Sequence, residues 1–152
     1  MNIRRLISES LNIIKNISAN PTPWCLSFIV FSVILHTRQY LFNRSLWLDE
    51  VKNAFNIVGK SYYQLLDKLE YGQGIPAGFL FIEKFMIDTF SNNEYILRFF
   101  PFLCGVISTI LFYLLIKQYL NSSAIFLSVL FFSITDSLIY YSSEVKSYSS
   151  DV

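Results

Sequence analysis

Two stretches of the chain combine acidic, basic and hydroxyl side chains in patterns that could support chemistry. The first is Ser45-Leu46-Trp47-Leu48-Asp49-Glu50, which has two adjacent carboxylates next to a tryptophan. The second is Tyr140-Tyr141-Ser142-Ser143-Glu144-Val145-Lys146-Ser147-Tyr148. A partly desolvated carboxylate can have its pKa raised toward the working pH and act as a general base on a hydroxyl group. Asp49 and Glu50 are therefore candidate catalytic bases.

Glu144, Lys146 and Tyr148 are candidate substrate-binding residues in the second stretch. Glu144 could bind a cation or orient a substrate, and Lys146 could neutralise a phosphate leaving group. If this stretch is helical, Tyr148 lies on the same face as Glu144. Arg98, at the start of a later apolar segment, is a fourth candidate because it could pair with a lipid phosphate.

Each candidate also has a structural interpretation. Asp49 and Glu50 precede a predicted helix, where acidic side chains cap the helix and complement its dipole. Tyrosines, lysines and arginines at the ends of apolar segments are typical membrane-interface residues. Asp136 lies within an apolar segment, where it either faces a polar cavity or caps a break in the helix. The residues alone leave these alternatives open.

The amino-acid composition indicates a membrane protein, so membrane helices must position these residues. Of the 152 residues, 53% are hydrophobic and only 15% are charged, which is too apolar for an ordinary soluble domain. Since a helix of about 20 residues crosses the hydrocarbon core, we predict an all-α polytopic membrane protein with about three transmembrane helices. The dispersed net charge of +1 gives no electrostatic footprint for nucleic acid, and we expect no nucleic-acid partner.

The predicted transmembrane helices cover residues 22–42, 98–117 and 122–141, and a long first loop covers residues 43–97. Residues 1–20 have apolar side chains at helical spacing among charged ones, which predicts an amphipathic helix on a membrane surface. We treat residues 21–152 as one transmembrane unit.

Within the loop, apolar periodicity predicts two surface helices, over residues 51–69 and 78–90. Phe79, Ile82 and Phe85 line the apolar face of the second helix, and Glu83 lies off it. Three crossings would place the loop and the end of the third crossing on one side of the membrane. The charge pattern alone does not say which side this is.

Four segments together resemble the N-terminal region of bacterial GT-C glycosyltransferases, the superfamily of protein O-mannosyltransferases and lipid A aminoarabinose transferases. The segments are Ser-Leu-Trp-Leu-Asp-Glu at 45–50, Gly-Gln-Gly-Ile-Pro-Ala-Gly-Phe-Leu at 72–80, Glu-Tyr-Ile-Leu-Arg-Phe-Phe-Pro at 94–101 and Tyr-Tyr-Ser-Ser-Glu-Val-Lys-Ser-Tyr-Ser-Ser-Asp at 140–151. Their order and spacing are similar to those of the family from Arg38 onward.

The resemblance implies a multi-pass inner-membrane enzyme whose long first loop is periplasmic and whose amphipathic helix over residues 1–20 lies on the cytoplasmic side. Asp49 and Glu50 fall on the family's first acidic motif, with the aspartate as catalytic base, and Glu144 and Lys146 fall on its second outer-face motif. The implied reaction transfers a sugar from a polyprenyl-phosphate donor to a lipid, glycan or protein acceptor. Cationic groups or a divalent metal cation would stabilise the leaving phosphate, and the metal requirement stays open.

Two positions depart from the family pattern. Pro76-Ala77 stands where paired prolines are common, and Tyr148 stands where an aspartate often follows the second-motif acid. Family members continue for several hundred residues, so we expect this chain to be a fragment of a GT-C fold that is inactive alone. The alternative is a non-catalytic membrane scaffold or a transporter fragment. Surface helices with an acidic motif favour the enzyme, because transporter sites are typically built from broken spanning helices.

Overall fold

The computed structural model describes residues 20–150, and within this range the chain is helical and has no strand. The predicted all-α fold class is therefore confirmed. The six α-helices are α1 (Thr22–Phe42), α2 (Leu48–Gly59), α3 (Ala77–Thr89), α4 (Glu94–Ile116), α5 (Ser122–Ile134) and α6 (Asp136–Tyr141). Short 3₁₀ turns cover Gln64–Leu66, Glu70–Gly72 and Ser147–Ser150. An amphipathic helix is predicted for residues 1–20, and residues 1–19 of it lie outside the described part of the chain.

Two helices, α1 with 21 residues and α4 with 23, are long and apolar enough to cross a membrane. Pro23 lies in the first turn of α1, where a missing N–H costs no hydrogen bond, and Pro21 is the N-cap residue. Asn43 ends this helix in the left-handed conformation, at φ 38°. The Asn93 side chain caps α4 by accepting a hydrogen bond from the Ile96 N–H at 3.0 Å.

The third apolar segment is divided into two helices. α5 has 13 residues and is shorter than a full crossing, and the extended Thr135 separates it from α6. Asp136 lies in the first turn of α6, where its charge complements the helix dipole. This arrangement is the one that the helix-break interpretation of Asp136 predicts.

α1 packs against both α4 and α5, and small and polar side chains line its contact with α4. Ser32 and Thr109 are buried with their hydroxyl oxygens 3.3 Å apart, and the His36 ring nitrogen Nδ1 lies 2.8 Å from the Ser32 carbonyl oxygen. A Cβ atom added at Gly105 would lie 2.5 Å from the Ser142 Cβ and 2.9 Å from the His36 Cδ2. The close approach of these elements therefore requires glycine at this position.

The loop helices α2 and α3 form a second core together with the start of α4 and the segment after α6. It includes Ile57, Leu80, Leu97 and Val145, all buried. The predicted helix over residues 51–69 is too long, because α2 already ends at Gly59. Here Ser61 bonds the Gln64 side chain through both its backbone N–H and its hydroxyl, which favours a turn over further helix.

α3 matches the predicted helix over residues 78–90 closely, but its buried face differs from the prediction. Glu83 is fully buried together with Phe79, whereas Ile82 is 40% exposed and Phe85 57% exposed. The assignment of Glu83 to the polar face was therefore wrong. An amphipathic pattern assigns charged residues to the solvent-facing side of a helix, so a carboxyl group packed inside the protein is not expected from it.

Candidate functional site

The two chemistry-bearing motifs meet at the start of α2. The Asn53 amide nitrogen donates a hydrogen bond to the Val145 carbonyl at 2.8 Å. The Lys146 Nζ donates one to the Asp49 carboxylate at 3.3 Å, although these two residues are 97 positions apart in the chain. Residues of the first loop and of the segment after α6 thus form one cluster.

Glu50 is the buried centre of this cluster. Its two carboxylate oxygens accept hydrogen bonds from the backbone N–H groups of Trp47, at 3.2 Å, and Val145, at 3.1 Å. The Arg98 Nη2 lies 3.2 Å from both oxygens. Glu50 therefore caps the start of α2 and also joins α2 to α4 and to the second motif, with its side chain inaccessible to solvent.

Arg98 and Arg44 extend the same buried network. Arg98 is only 1% exposed, and its Nη1 donates to the Asn43 side-chain oxygen at 3.0 Å and to the Arg44 carbonyl at 2.6 Å. Arg44 in turn donates to Glu144 Oε1 at 2.7 Å, and its guanidinium lies 4.8 Å from the centre of the Tyr140 ring. The donors of Arg98 are thus directed at protein groups.

Glu144 is fully buried beside Arg44. Burial raises the pKa of its carboxyl group, the negative charge of Glu50 raises it further, and Arg44 opposes both effects. The Tyr140 hydroxyl also favours the charged form, but no hydrogen bond of normal geometry reaches Oε2 within residues 20–150. Glu144 is held inside the protein, as Glu50 is.

Asp49 differs from these acids because its side chain is 35% exposed. One carboxylate oxygen lies 3.3 Å from the Lys146 Nζ, and the other lies 3.4 Å from the Lys52 Nζ. The hydrogen bond from Lys146 lowers the pKa of the Asp49 carboxyl group, although partial burial acts in the opposite direction. The pKa of Asp49 is thus lowered and not raised, as was expected for a partly desolvated carboxylate, because the ion pair with Lys146 outweighs desolvation. The carboxyl group is ionised at neutral pH and can accept a proton.

Lys146 is held between Asp49 and two aromatic rings. Its Nζ lies 4.9 Å from the centre of the Trp47 ring and 5.2 Å from that of Tyr148, and it is 3.4 Å from the Tyr148 hydroxyl. Burial disfavours the charged form, but hydrogen bonds to Asp49 and Tyr148 raise the pKa of Lys146 above its ordinary value. This side chain is a fixed positive charge at the partly exposed side of the cluster.

The six candidate residues are thus in one cluster, in two environments. Asp49, Lys146 and Tyr148 reach the surface, whereas Glu50, Arg98 and Glu144 are enclosed. Sequence reasoning missed Arg44 and Asn53. A signal for Asn53 existed, because asparagine is unfavourable inside a helix and this one follows Asp49 by one turn.

A metal site was left open by the sequence. Within the described range, no group of three or more His, Cys, Asp and Glu side chains lies close enough to hold a metal ion.

Residues 75–147 match the family model of the dolichyl-phosphate-mannose-protein mannosyltransferases. This segment contains α3 to α6 together with Glu144 and Lys146, and it ends before Tyr148. The resemblance to GT-C glycosyltransferases is confirmed by this match. No curated protein and no solved structure matches the chain.

Proposed function

We propose, from the premise that residues 75–147 match a GT-C glycosyltransferase family, that this chain contributes the base of a sugar-transfer reaction at the membrane surface. The donor is a polyprenyl-phosphate sugar, and the acceptor is a hydroxyl group of a protein, lipid or glycan. The reaction takes place at the periplasmic face of the inner membrane, with Asp49 as general base. The proposal takes the class of donor and the class of acceptor from the family description, and it takes no particular sugar or acceptor from it.

The contact between Asp49 and Lys146 carries this proposal. The two side chains come from separate motifs, have opposite charges 3.3 Å apart, and lie at the partly exposed side of a buried ionic network. A carboxylate that accepts a proton and an ammonium that neutralises a phosphate are the two groups that this displacement needs.

The proposed step is a displacement at the anomeric carbon of the donor sugar. Asp49 removes the proton of the acceptor hydroxyl, and the resulting oxygen forms a bond to the anomeric carbon. The bond from that carbon to the phosphate oxygen breaks, and its electron pair leaves with the polyprenyl phosphate. Lys146 stabilises the negative charge that develops on this leaving group more strongly than the charge of the bound donor.

The enclosed residues act in this proposal as positioning residues. Glu50 bonds the N–H of Trp47 and that of Val145, so it fixes the residues on either side of the Asp49–Lys146 pair. Arg98 holds Glu50 in turn. Such support matters because a catalytic pair displaced by about 1 Å can lose about 100-fold in rate.

The test compares Asp49→Asn with Glu50→Ala in the protein produced from its natural gene and purified in lipid nanodiscs. General base catalysis contributes about 10²- to 10⁴-fold, so Asp49→Asn is expected to reduce sugar transfer by this factor and to leave the unfolding temperature unchanged. Glu50→Ala leaves Arg98 buried without its partner and is expected to cost roughly 3–5 kcal/mol of stability. Near-normal turnover by Asp49→Asn would contradict the proposed base.

The transporter alternative has one supporting observation, the break at Thr135 between α5 and α6. Interrupted helices form ion and substrate sites in many transporters. Ion-dependent uptake into proteoliposomes, together with no sugar transfer from any polyprenyl-phosphate donor, would favour that alternative over the glycosyltransferase.

A further inference from the structure

One long face of α1 is open to the surroundings of the protein. Ser32 and His36 are buried in the helix contacts, whereas Ile34 is 56% exposed and Leu41 61% exposed. The open face forms a shallow groove in the second half of the helix. Its lining residues are Val33, Ile34, Thr37, Arg38, Leu41 and Phe42, all of them from α1.

Arg38 is the one charged residue among those that line the groove, and its side chain is exposed. Arg44 and Arg98 are both held by carboxylates of the ionic cluster. Arg38, in contrast, forms no hydrogen bond or ion pair with any other residue of the range 20–150. A charged side chain within a membrane helix needs water or an anionic partner. Arg38 is therefore free to pair with an anionic group from outside the protein.

The groove has the length of one membrane leaflet. Arg38 lies about one turn before the end of α1 at Phe42, and Val33 and Ile34 lie about one turn on the other side of Arg38. At 1.5 Å per residue, the groove extends over about 14 Å, close to half of a hydrocarbon core of about 30 Å. It thus combines a positive charge near the membrane surface with an apolar wall along the leaflet beneath it.

We infer that this groove binds an anionic phospholipid of the surrounding membrane, with its phosphate paired with Arg38 and one acyl chain against Val33 and Ile34. A planar guanidinium can donate two parallel hydrogen bonds to a phosphate, and Thr37 provides a hydroxyl group beside it. The lining residues include no acid that could hold the ammonium group of a zwitterionic lipid. The net positive charge of the groove therefore favours a lipid with a net negative charge.

The groove adjoins the ionic cluster through the end of α1. Asn43 is the C-cap residue of this helix, and its side-chain oxygen accepts a hydrogen bond from Arg98 Nη1 at 3.0 Å. A lipid that holds the last turns of α1 also supports this anchor of the cluster. We therefore expect the bound lipid to raise the unfolding temperature, because it binds the folded protein and not the unfolded chain.

The experiment measures lipid binding to the protein produced from its natural gene and purified in detergent. Phosphatidylglycerol, phosphatidylcholine with the same acyl chains and undecaprenyl phosphate are added separately, and bound lipids are counted by native mass spectrometry. One basic side chain near the membrane surface favours an anionic lipid by about fivefold, so the wild type should bind phosphatidylglycerol at least this much more tightly than phosphatidylcholine. Its unfolding temperature should rise with phosphatidylglycerol. Arg38→Gln is expected to lose both effects, and Arg38→Lys to keep part of them.

Lys117→Gln is the matched control. Lys117 is the C-cap residue of α4, at the end away from the ionic cluster, and its Nζ lies 5.9 Å from the centre of the Tyr113 ring. This variant removes the same charge from the protein but leaves the groove intact, so it should keep the preference for phosphatidylglycerol. An equal loss in Lys117→Gln and Arg38→Gln would show that only net charge matters, and it would overturn the site.

Two wild-type results would also overturn the inference. Equal binding of phosphatidylglycerol and phosphatidylcholine would show that the groove does not select anionic lipids. Tighter binding of undecaprenyl phosphate than of phosphatidylglycerol would assign the groove to a carrier lipid and not to a membrane phospholipid. Both comparisons are decisive even if a variant does not fold. Sugar transfer is not measured, so either result leaves the proposed function unchanged.

Discussion

Lys146 lowers the pKa of Asp49. The lysine Nζ lies 3.3 Å from one Asp49 oxygen, and the hydrogen bond between them is the largest cause of the lowered pKa of this carboxyl group. A lowered pKa keeps the carboxylate available as a proton acceptor to a lower pH than an isolated aspartate would allow. Lys146 of the second motif therefore contributes to the proposed chemistry by lowering the pKa of Asp49 in the first motif.

Lys146→Met is expected to raise the pKa of Asp49 toward its ordinary value. The acid limb of the pH profile of kcat/KM follows the loss of the carboxylate form, so this limb is expected to move to higher pH in the variant. The maximum rate should also fall, because the ammonium that faces the leaving phosphate is removed. Initial rates measured from about pH 3 to about pH 8, a range that includes the ordinary pKa of aspartate, check both the shift of the acid limb and the fall of the maximum rate.

Lys52→Met is the control for this prediction. Lys52 also donates to Asp49, at 3.4 Å, but its effect on the pKa of Asp49 is smaller than that of Lys146. Its acid limb should move less, and its maximum rate should stay close to the wild-type value. Equal shifts in the two variants would show that Lys146 has no special role.

At the scale of elements, α3 docks on α4 with a buried acid at the contact. Both oxygens of Glu83 lack a hydrogen-bond partner among residues 20–150, and burial raises the pKa of this carboxyl group to about 9. Its ordinary value is 4.5, so the folded protein retains a proton that the unfolded chain releases. The stabilising contribution of this proton is complete below about pH 4.5 and is lost as the pH rises to about 9.

Glu83→Gln removes this dependence, because the amide is neutral at every pH. We expect the variant to be more stable than the wild type by on the order of 5 kcal/mol at pH 8, and the difference should vanish toward pH 4. Thermal unfolding in detergent at several pH values measures it. Asp88→Asn, which alters a 46% exposed acid of the same helix, should show no comparable gain. A wild-type stability that rises between pH 5 and pH 9 relative to Glu83→Gln would contradict a buried neutral Glu83.

The contact at Gly105 makes a second prediction at this scale. Gly105→Ala would place a Cβ 2.5 Å from the Ser142 Cβ, so α4 and the end of α6 must move apart. Overpacking of this kind costs typically about 1–3 kcal/mol. Gly78→Ala is the matched control, because no atom lies within 4 Å of the Cβ that it adds. Thermal unfolding should show a loss for Gly105→Ala alone, and equal unfolding temperatures would argue against the close contact.

The elements were more predictable from the sequence than their contacts. α1 and α4 follow from long apolar runs, and their ends follow from local features such as Asn93, which caps α4. The buried Glu83 was not predictable, because its protonation depends on neighbours from another helix. The same holds for the site. The number of predicted crossings indicated that the two motifs share one side of the membrane. The pairing of Glu50 with Arg98, 48 positions away, was not predictable, because it exists only after the chain has folded.

At the scale of the whole molecule, the apolar and polar side chains are distributed as in a membrane protein. Large apolar side chains on α1, α4 and α5 are exposed, including Val30, Leu111 and Phe131, while Ser32 and Thr109 are buried between the helices. Lipid tails accept the first group, and small hydroxyl residues allow close helix packing. The ionic cluster lies at the end of this assembly, at the start of α4.

This distribution predicts which parts of the chain share a compartment. With α1, α4 and the divided α5–α6 segment as the three crossings expected from the sequence, we predict that Asp67 in the loop and Tyr148 after α6 lie on one side of the membrane, and Tyr119 in the turn before α5 on the other. Single cysteines at these three positions, in a background with Cys25 and Cys104 replaced by serine, can be tested with a membrane-impermeant maleimide on intact cells. Asp67→Cys and Tyr148→Cys should react at once, and Tyr119→Cys only after permeabilisation. The background without cysteines controls for unspecific labelling. If Asp67→Cys and Tyr148→Cys react from opposite compartments, the loop that contains Asp49 and the segment that contains Lys146 lie on opposite sides of the membrane. That result is incompatible with the Asp49–Lys146 contact.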